Sequence, residues 1–410
     1  MTDMLHPARV PQGFGTLGGE LTIAGRPASA WAAGSDTPLF VYDRTPIAAQ
    51  IARLRAALPD GVALHYAIKA NPLPELVAWV AQHVDGLDVA SGGELAVALA
   101  AGMSPERISF AGPGKRDGEL EAAIVAGATL NLESAGEYDR ASAIAARLGR
   151  RLRAALRVNP DFELKASGMR MGGGPRQFGV DADQAPALLA RMADAGTDFQ
   201  GFQIFAGSQN LSAASLIETQ ARTVALAADL AAHAPAPPRH VNIGGGYGIP
   251  YFPADRALDL EAVGAALAQT LAARPPALAR TRFIVELGRY LVGEAGVYLT
   301  RVIDRKVSRG ETFLVVDGGL HHQLAASGNF GTVVRRNYPL ANATRFAEPA
   351  TEIANVVGCL CTPLDRLGDK VALPHTGVGD LIAVFMAGAY GASASPAAFL
   401  GHPPAAERFV

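Results

Sequence analysis

Between about residue 44 and residue 290 the chain alternates, eight times over, between a short apolar run and a stretch with helical periodicity. The apolar runs are ALHYAI, GLDVAS, RISFAG, TLNLES, LRAALRVN, FQGFQIFAG, HVNIGGG and RFIVELG. Segments such as GGELAVALAAG, DGELEAAIVAGA and ASLIETQARTVALAADLAAH lie between them, with apolar residues three and four apart. Near-continuous apolar strands joined by helices belong to parallel sheets covered on both faces. Eight such units over about 250 residues predict an α/β fold, a (β/α)8 TIM-like barrel. A doubly wound sheet is the alternative; the count favours closure.

After Glu286 the pattern changes. YLVGEAGVYLTRVIDRKVSRGETFLVVDGGL reads as long strands and a hairpin without intervening helices, and so do IANVVGCLC and GDLIAVFMAGAYG. The N-terminal GELTIAGRPASAWAAGSDTPLFVYD also reads as strand and turn. The expected organisation is therefore a barrel over 44–290 and a β-rich domain, sandwich or barrel, formed by 1–43 with 291–410.

Composition narrows the function. Of 410 residues, 49% are hydrophobic, enough for a large core, and the formal charge of −2 leaves no footprint for nucleic acid or an anionic membrane. No apolar run reaches the roughly 18 residues of a membrane span. The start, MTDMLHPARVPQGFG, lacks the pattern of a secretory signal. The two cysteines, Cys359 and Cys361, make neither a disulfide framework nor a zinc quartet. This points to a reducing, cytoplasmic setting, and no metal is expected.

In a barrel, the carboxyl ends of the strands converge on one mouth, where ligands bind. Lys69 follows the first strand in HYAIKANP, ahead of a helix that PLPELVAWVAQHV places with Pro72 near its first turn. Asp88 and Ser91 follow the second strand, Arg157 and Asn159 the fifth, and Gly207, Ser208 and Gln209 the sixth. Gly244, Gly245 and Gly246 follow the seventh, and Glu286, Gly288 and Arg289 the eighth. Loops after strands seven and eight are a common phosphate site, and a glycine triplet lets backbone N–H groups approach phosphate oxygens. Ser208 and Arg289 can add donors. A phosphate site, one lysine and one carboxylate suggest pyridoxal 5'-phosphate: lysine forms the Schiff base, and a carboxylate keeps the pyridine nitrogen protonated. Glu286, in apolar FIVELG, is the candidate carboxylate.

The chain resembles the fold-type III pyridoxal-phosphate decarboxylases, the group of diaminopimelate and ornithine decarboxylases. TPLFVYD, YAIKANP, DVASGGEL, GPGK, RVNP, GSQ, NIGGGYG, ELGR, VVDGG, CTPLD and GAYG carry the likeness almost end to end. It implies that Lys69 carries the cofactor and that Gly244 to Gly246, Ser208 and Tyr390 hold its phosphate. It implies Glu286 at the pyridine nitrogen, with Arg157, Gly288 and Arg289 beside the cofactor. It also implies a homodimer with shared active sites, in which Cys361 reaches the partner's site as the catalytic proton donor.

Three departures bear on the substrate. FAGSQ places Phe205, not histidine, at the position that stacks on the cofactor ring. Thr362 replaces the acid that meets a distal ammonium, and GNFGTVVRRNYP replaces the segment that reads a distal carboxylate. The expected substrate pocket holds Arg289, Asp317, Thr362 and Tyr390, with Asp317 an acid able to restore the missing charge. KASGMRMGGGPRQFGVD, His321–His322 and the C-terminal SP-x-x-FLGHP resemble the branch that includes the glutamyl-[acyl-carrier protein] decarboxylase and exosortase-associated decarboxylases. The implied activity is decarboxylation of an amino acid, or of an aminoacyl group on a carrier protein, in a secondary-metabolite or exopolysaccharide-linked pathway. Arg335 and Arg336 could meet a phosphopantetheine arm or a carrier surface, the alternative being a solvated loop pair. Diaminopimelate decarboxylase, an amino-acid racemase on the same barrel, and a cofactor-free partner-binding pseudoenzyme are the alternatives.

Overall fold

The computed structural model describes residues 10–11, 13–33, 37–165, 168–330 and 335–410. Ala166 and Ser167 of KASGM and positions 331–334 of GNFGTVV lie outside them. The chain divides into two compact units, one of Gln50–Ile249 with Arg256–Tyr290, the other of Met1–Ala49, Pro250–Asp255 and Leu291–Val410.

The first unit is a closed parallel barrel. Its strands are β1 (Ala63–Ala67), β2 (Gly86–Val89), β3 (Ile108–Phe110), β4 (Thr129–Leu132), β5 (Arg153–Asn159), β6 (Asp198–Ile204), β7 (His240–Gly245) and β8 (Arg282–Leu287). Each pairs in parallel with the next, and β8 closes on β1 with Glu286 opposite His65. All eight apolar runs in the sequence are strands of this barrel. Helices follow the strands, and their first turns are closed by the residues the sequence offers. Ser91 accepts from Glu94 N while the Glu94 carboxylate accepts from Ala90 N. Ser134 and Glu137 repeat the arrangement after β4. Such caps satisfy amide groups that the helix itself leaves open.

The barrel interior is polar as well as apolar. His65, Asp88, Ser109, Asn131, Gln203, Asn242 and Glu286 are all buried. Buried polar groups are retained only when paired. Here Asp88 Oδ1 takes hydrogen bonds from His65 and Ser109, and Asn131 donates to Ser109.

In the second unit both ends of the chain join one sheet. Leu39–Tyr42 lies between Gly296–Leu299, antiparallel, and the last strand, Ala406–Phe409, parallel. Gly296–Ser308 runs on to form a hairpin with Glu311–Val316. Its first half is buried, and Phe40 packs on Tyr298 at 4.8 Å between ring centroids. Pro250–Asp255 belongs to this unit although the sequence alone places it in the barrel. Tyr251 and Phe252 explain the assignment, since both pack on the ring of Tyr338. Arg366–Leu373 is a further strand whose charged sequence, RLGDKVAL, hides the alternation. Among the described residues no helix is long and apolar enough to cross a membrane.

Candidate active site

Lys69 sits in a single 3-10 turn, Ile68–Ala70, directly after β1. Asn71 then makes the transition to the helix: its Oδ1 accepts from Leu73 N at 3.1 Å, and its carbonyl accepts from Tyr66 Oη at 2.9 Å. The helix begins at Pro74 rather than beside Pro72, because this side-chain turn at Asn71 occupies the intervening residues. The turn leaves Lys69 exposed, with Nζ 5.6 Å from the centroid of the Phe205 ring. Behind it Gly288 passes so close that a Cβ there would lie 2.8 Å from Ala70 Cβ and 3.1 Å from Ala67 O. The end of β8 thus braces the lysine turn, and only glycine fits.

Glu286 is the buried carboxylate of the site. Its Oε2 accepts from Gln203 Nε2 at 2.8 Å and Asn242 Nδ2 at 3.2 Å. Oε1 accepts none from the described residues. Burial, and then the charge of Asp88, push its pKa above the usual carboxylate range, against the opposing pull of Lys69, the Gln203 hydrogen bond and Arg157. A carboxylate so placed calls for a cationic partner to stay ionised, which a protonated ring nitrogen supplies.

The glycine run is packed, not loose. Gly246 has a φ of +72°, and a Cβ there would fall 2.3 Å from Gly207 O. Asn210 N donates to Gly246 O, and the Gln209 side chain exchanges two hydrogen bonds with Ile249. The loops after β6 and β7 are therefore zipped together, with Gly207–Ser208 also paired to Met169–Arg170. Asn242 links this loop to the carboxylate, since its Oδ1 accepts from Gly244 N at 2.9 Å. This cradle, the lysine and the orphan face of Glu286 fit pyridoxal phosphate.

Arg157 is held within the barrel by Glu133, with Nη1 to Oε1 at 2.7 Å and its guanidinium 5.1 Å from the Phe178 ring centroid. Arg289 opens the short helix Arg289–Val292 after β8. Asp317, Cys361, Thr362 and Tyr390 belong to the second unit. Cys361 is exposed in a turn closed by Thr362 N to Leu360 O and Asp365 N to Thr362 O. Asp317 is tied to its own unit: Oδ1 accepts from Thr300 Oγ1 and Arg301 N, and Oδ2 from Thr37 Oγ1. Tyr390 has a φ of +55°, a left-handed conformation costly for a tyrosine and common where function fixes a side chain.

Gln203 and Asn242 escaped the sequence reading. The available signal was a lone amide at an inward position of the apolar strands FQGFQI and HVNIGG. Asp88 and Ser91 were expected at the mouth, but Ser91 caps a helix and Asp88 points into the interior network. At the opposite end of the strands a separate cavity of about 230 Å³ is lined by Arg107, Arg153, Arg239, His240 and Arg282. Its arginines pair with Asp85 and Asp198 or with backbone carbonyls, so it is structural.

A barrel with a lysine after its first strand, a glycine cradle after its seventh and a buried glutamate on its eighth defines a pyridoxal phosphate enzyme. The chain belongs to the pyridoxal-dependent decarboxylases: the family described as "Pyridoxal-dependent decarboxylase, pyridoxal binding domain" matches residues 44–293. It is 38% identical over 378 residues to the L-glutamyl-[BtrI acyl-carrier protein] decarboxylase of Niallia circulans, covering 90% of this chain and 87% of that one. It is 32% identical over 380 residues to the diaminopimelate decarboxylase of Aquifex aeolicus, covering 91% and 86%. The crystal structure of Helicobacter pylori diaminopimelate decarboxylase complexed with L-lysine superposes with a TM-score of 0.81 at 27% identity, covering 93% of each chain. The protein is a carboxy-lyase of fold type III whose cofactor is pyridoxal 5'-phosphate.

Proposed function

We propose that this enzyme removes the α-carboxylate of an aminoacyl group carried on a carrier protein. It works as a cytoplasmic homodimer in a secondary-metabolite or exopolysaccharide-linked pathway. We take 44–290 as its catalytic barrel and 1–43 with 291–410 as the second domain. Lys69 binds the cofactor aldehyde, and Gly244, Gly245, Gly246, Ser208 and Tyr390 hold its phosphate. Glu286 keeps the proton on the ring nitrogen, Phe205 covers one ring face, and Arg157, Gly288 and Arg289 line the site. When bound, pyridoxal phosphate supplies the electron sink into which the bond from Cα to the carboxylate breaks. Cys361 of the partner subunit then delivers a proton to Cα, and its exposure in its own chain suits that task.

The observation that carries the substrate reading is the state of the acids around Thr362. A free diamino acid brings a distal ammonium, which is costly to bury without a counter-charge. Thr362 offers none. Asp317 holds Thr37, Thr300 and Arg301, and Asp365 accepts from the Leu320 and Leu360 amides. A neutral or anionic tail avoids the penalty, in keeping with the Niallia circulans relative, whose name gives a carrier-bound glutamyl substrate.

A groove of about 470 Å³ in the second unit supports the carrier. Arg335, Arg336 and Lys370 line it together with Tyr251, Phe252 and Tyr338. The Arg336 guanidinium lies 3.6 Å from the Phe252 ring centroid, and among the described residues no carboxylate pairs with it. A stacked arginine without a counter-ion suits a phosphodiester such as that of a carrier arm.

The test is steady-state kinetics on free glutamate, ornithine, lysine and diaminopimelate, and on glutamyl thioesters of a carrier protein and of a small thiol. The carrier thioester is expected to be the best substrate, and Arg336→Glu to raise its KM at least about tenfold while sparing the small thioester. Efficient turnover of free diaminopimelate would replace this reading with that of a diaminopimelate decarboxylase.

A further inference from the structure

Among the described residues one cluster of metal-ligating side chains lies outside the machinery above. His321, Cys359 and His402, all in the second unit, offer ligand atoms within 4.8 Å of one another. His321 is completely buried, and neither Nδ1 nor Nε2 has a hydrogen-bond partner. Its neighbour His322 shows the usual state of a core imidazole, with Nδ1 at 3.1 Å from Tyr298 Oη and Nε2 at 2.9 Å from Pro403 O. A neutral imidazole carries one donor and one acceptor, and leaving both unmet in the interior is costly. Cys359 Sγ stands 3.8 Å from His402 Nε2 and 3.6 Å from the Asp317 carbonyl.

We propose that His321, Cys359 and His402 bind a zinc ion, with water or another small ligand in the fourth position. Two imidazoles and a thiolate form a borderline-soft donor set, and three protein ligands in a tetrahedral site are a common zinc arrangement. Cysteine ligates zinc as the thiolate, so binding exchanges the Cys359 thiol proton for the metal and releases one proton to solvent.

The surroundings are built to hold the ligands. Asp365 accepts from Leu320 N at 2.7 Å and Leu360 N at 2.9 Å, so one carboxylate fixes a residue adjacent to each of two ligands. Its oxygens lie so near Gly319 and Gly358 that a Cβ at either would come within 2.3 Å. The sequence shows no zinc quartet because the three ligands are distant in the chain and only one is a cysteine. The consequence reaches the reaction, because Cys359 is two residues from Cys361. The metal would pin the turn that presents the proton donor.

The test uses the full-length holoenzyme. Metal content is measured after purification with zinc, and zinc is replaced by cobalt(II), read as a difference spectrum against the zinc-loaded protein. The expected result is one metal per chain and a thiolate-to-cobalt charge-transfer band. That band should be lost in Cys359→Ser and retained in Cys361→Ser. His402→Gln, at a half-buried position, should weaken metal binding more than about tenfold, and it serves as the arbiter if Cys359→Ser fails to fold. A folded wild-type holoenzyme that binds no stoichiometric metal would overturn the proposal. So would a charge-transfer band that depends on Cys361 rather than Cys359.

Discussion

Asn242 donates to Glu286 Oε2 at 3.2 Å and, with its other amide atom, accepts from Gly244 N at 2.9 Å. One residue on β7 therefore ties the carboxylate at the end of β8 to the glycine cradle. A hydrogen bond to a charged group contributes about 1.5–3 kcal/mol when its loss leaves the group buried. Asn242→Ala is expected to weaken pyridoxal phosphate retention roughly 10–100-fold, measured by dialysis against rising cofactor. Unchanged retention would mean that Gln203 alone positions Glu286.

The barrel was legible in the sequence because parallel strands are apolar throughout and each must be followed by a helix. The placement of Lys69, Gly244–Gly246 and Glu286 at the strand ends followed, because strand ends in a barrel converge. Other features depend on contacts that no local pattern encodes. Asn242 and Gln203 look like isolated polar residues until the register of β6, β7 and β8 brings them to one carboxylate. Pro250–Asp255 reads as a barrel loop until Tyr251 and Phe252 meet Tyr338. Asp317 had the right charge for a substrate contact, and only the fold reveals that Thr37, Thr300 and Arg301 occupy it.

His240, facing the far end of the barrel, contributes to the pH dependence of stability. Burial first, then the charges of His65 and Arg153, lower it to about 4, with Asp88 opposing and Arg239 adding to the shift. The unfolded chain, at the ordinary 6.5, takes up a proton that the folded chain refuses. Its contribution is therefore intact above about pH 6.5 and lost progressively as the pH falls toward 4. Denaturant melts across that window should show stability declining on acidification, and His240→Gln should reduce the slope. An unaltered slope would assign it to other groups.

In the proposed substrate pocket, Thr362→Asp would supply a counter-charge for a distal ammonium. The expected outcome is a rise of at least about tenfold in kcat/KM for free ornithine or lysine relative to the carrier-bound substrate. Efficient turnover of these amino acids by the unmodified enzyme would show that another group already supplies that charge.

If the two chains share their active sites as proposed, inactive subunits are complementary. Mixing Lys69→Ala with Cys361→Ala chains should restore up to about a quarter of native activity, since half of the dimers are hybrids and each hybrid has one complete site. No recovery, with subunit exchange verified by mass, would place each cysteine in its own chain's site.

The central claim is that Lys69 holds the cofactor. Borohydride reduction of the holoenzyme followed by peptide mass mapping tests it directly. The account predicts a single pyridoxyl-modified peptide spanning HYAIKANP, with the label on Lys69, and no reducible label in a folded Lys69→Ala protein. A label on any other lysine, or one that persists in Lys69→Ala, would contradict it.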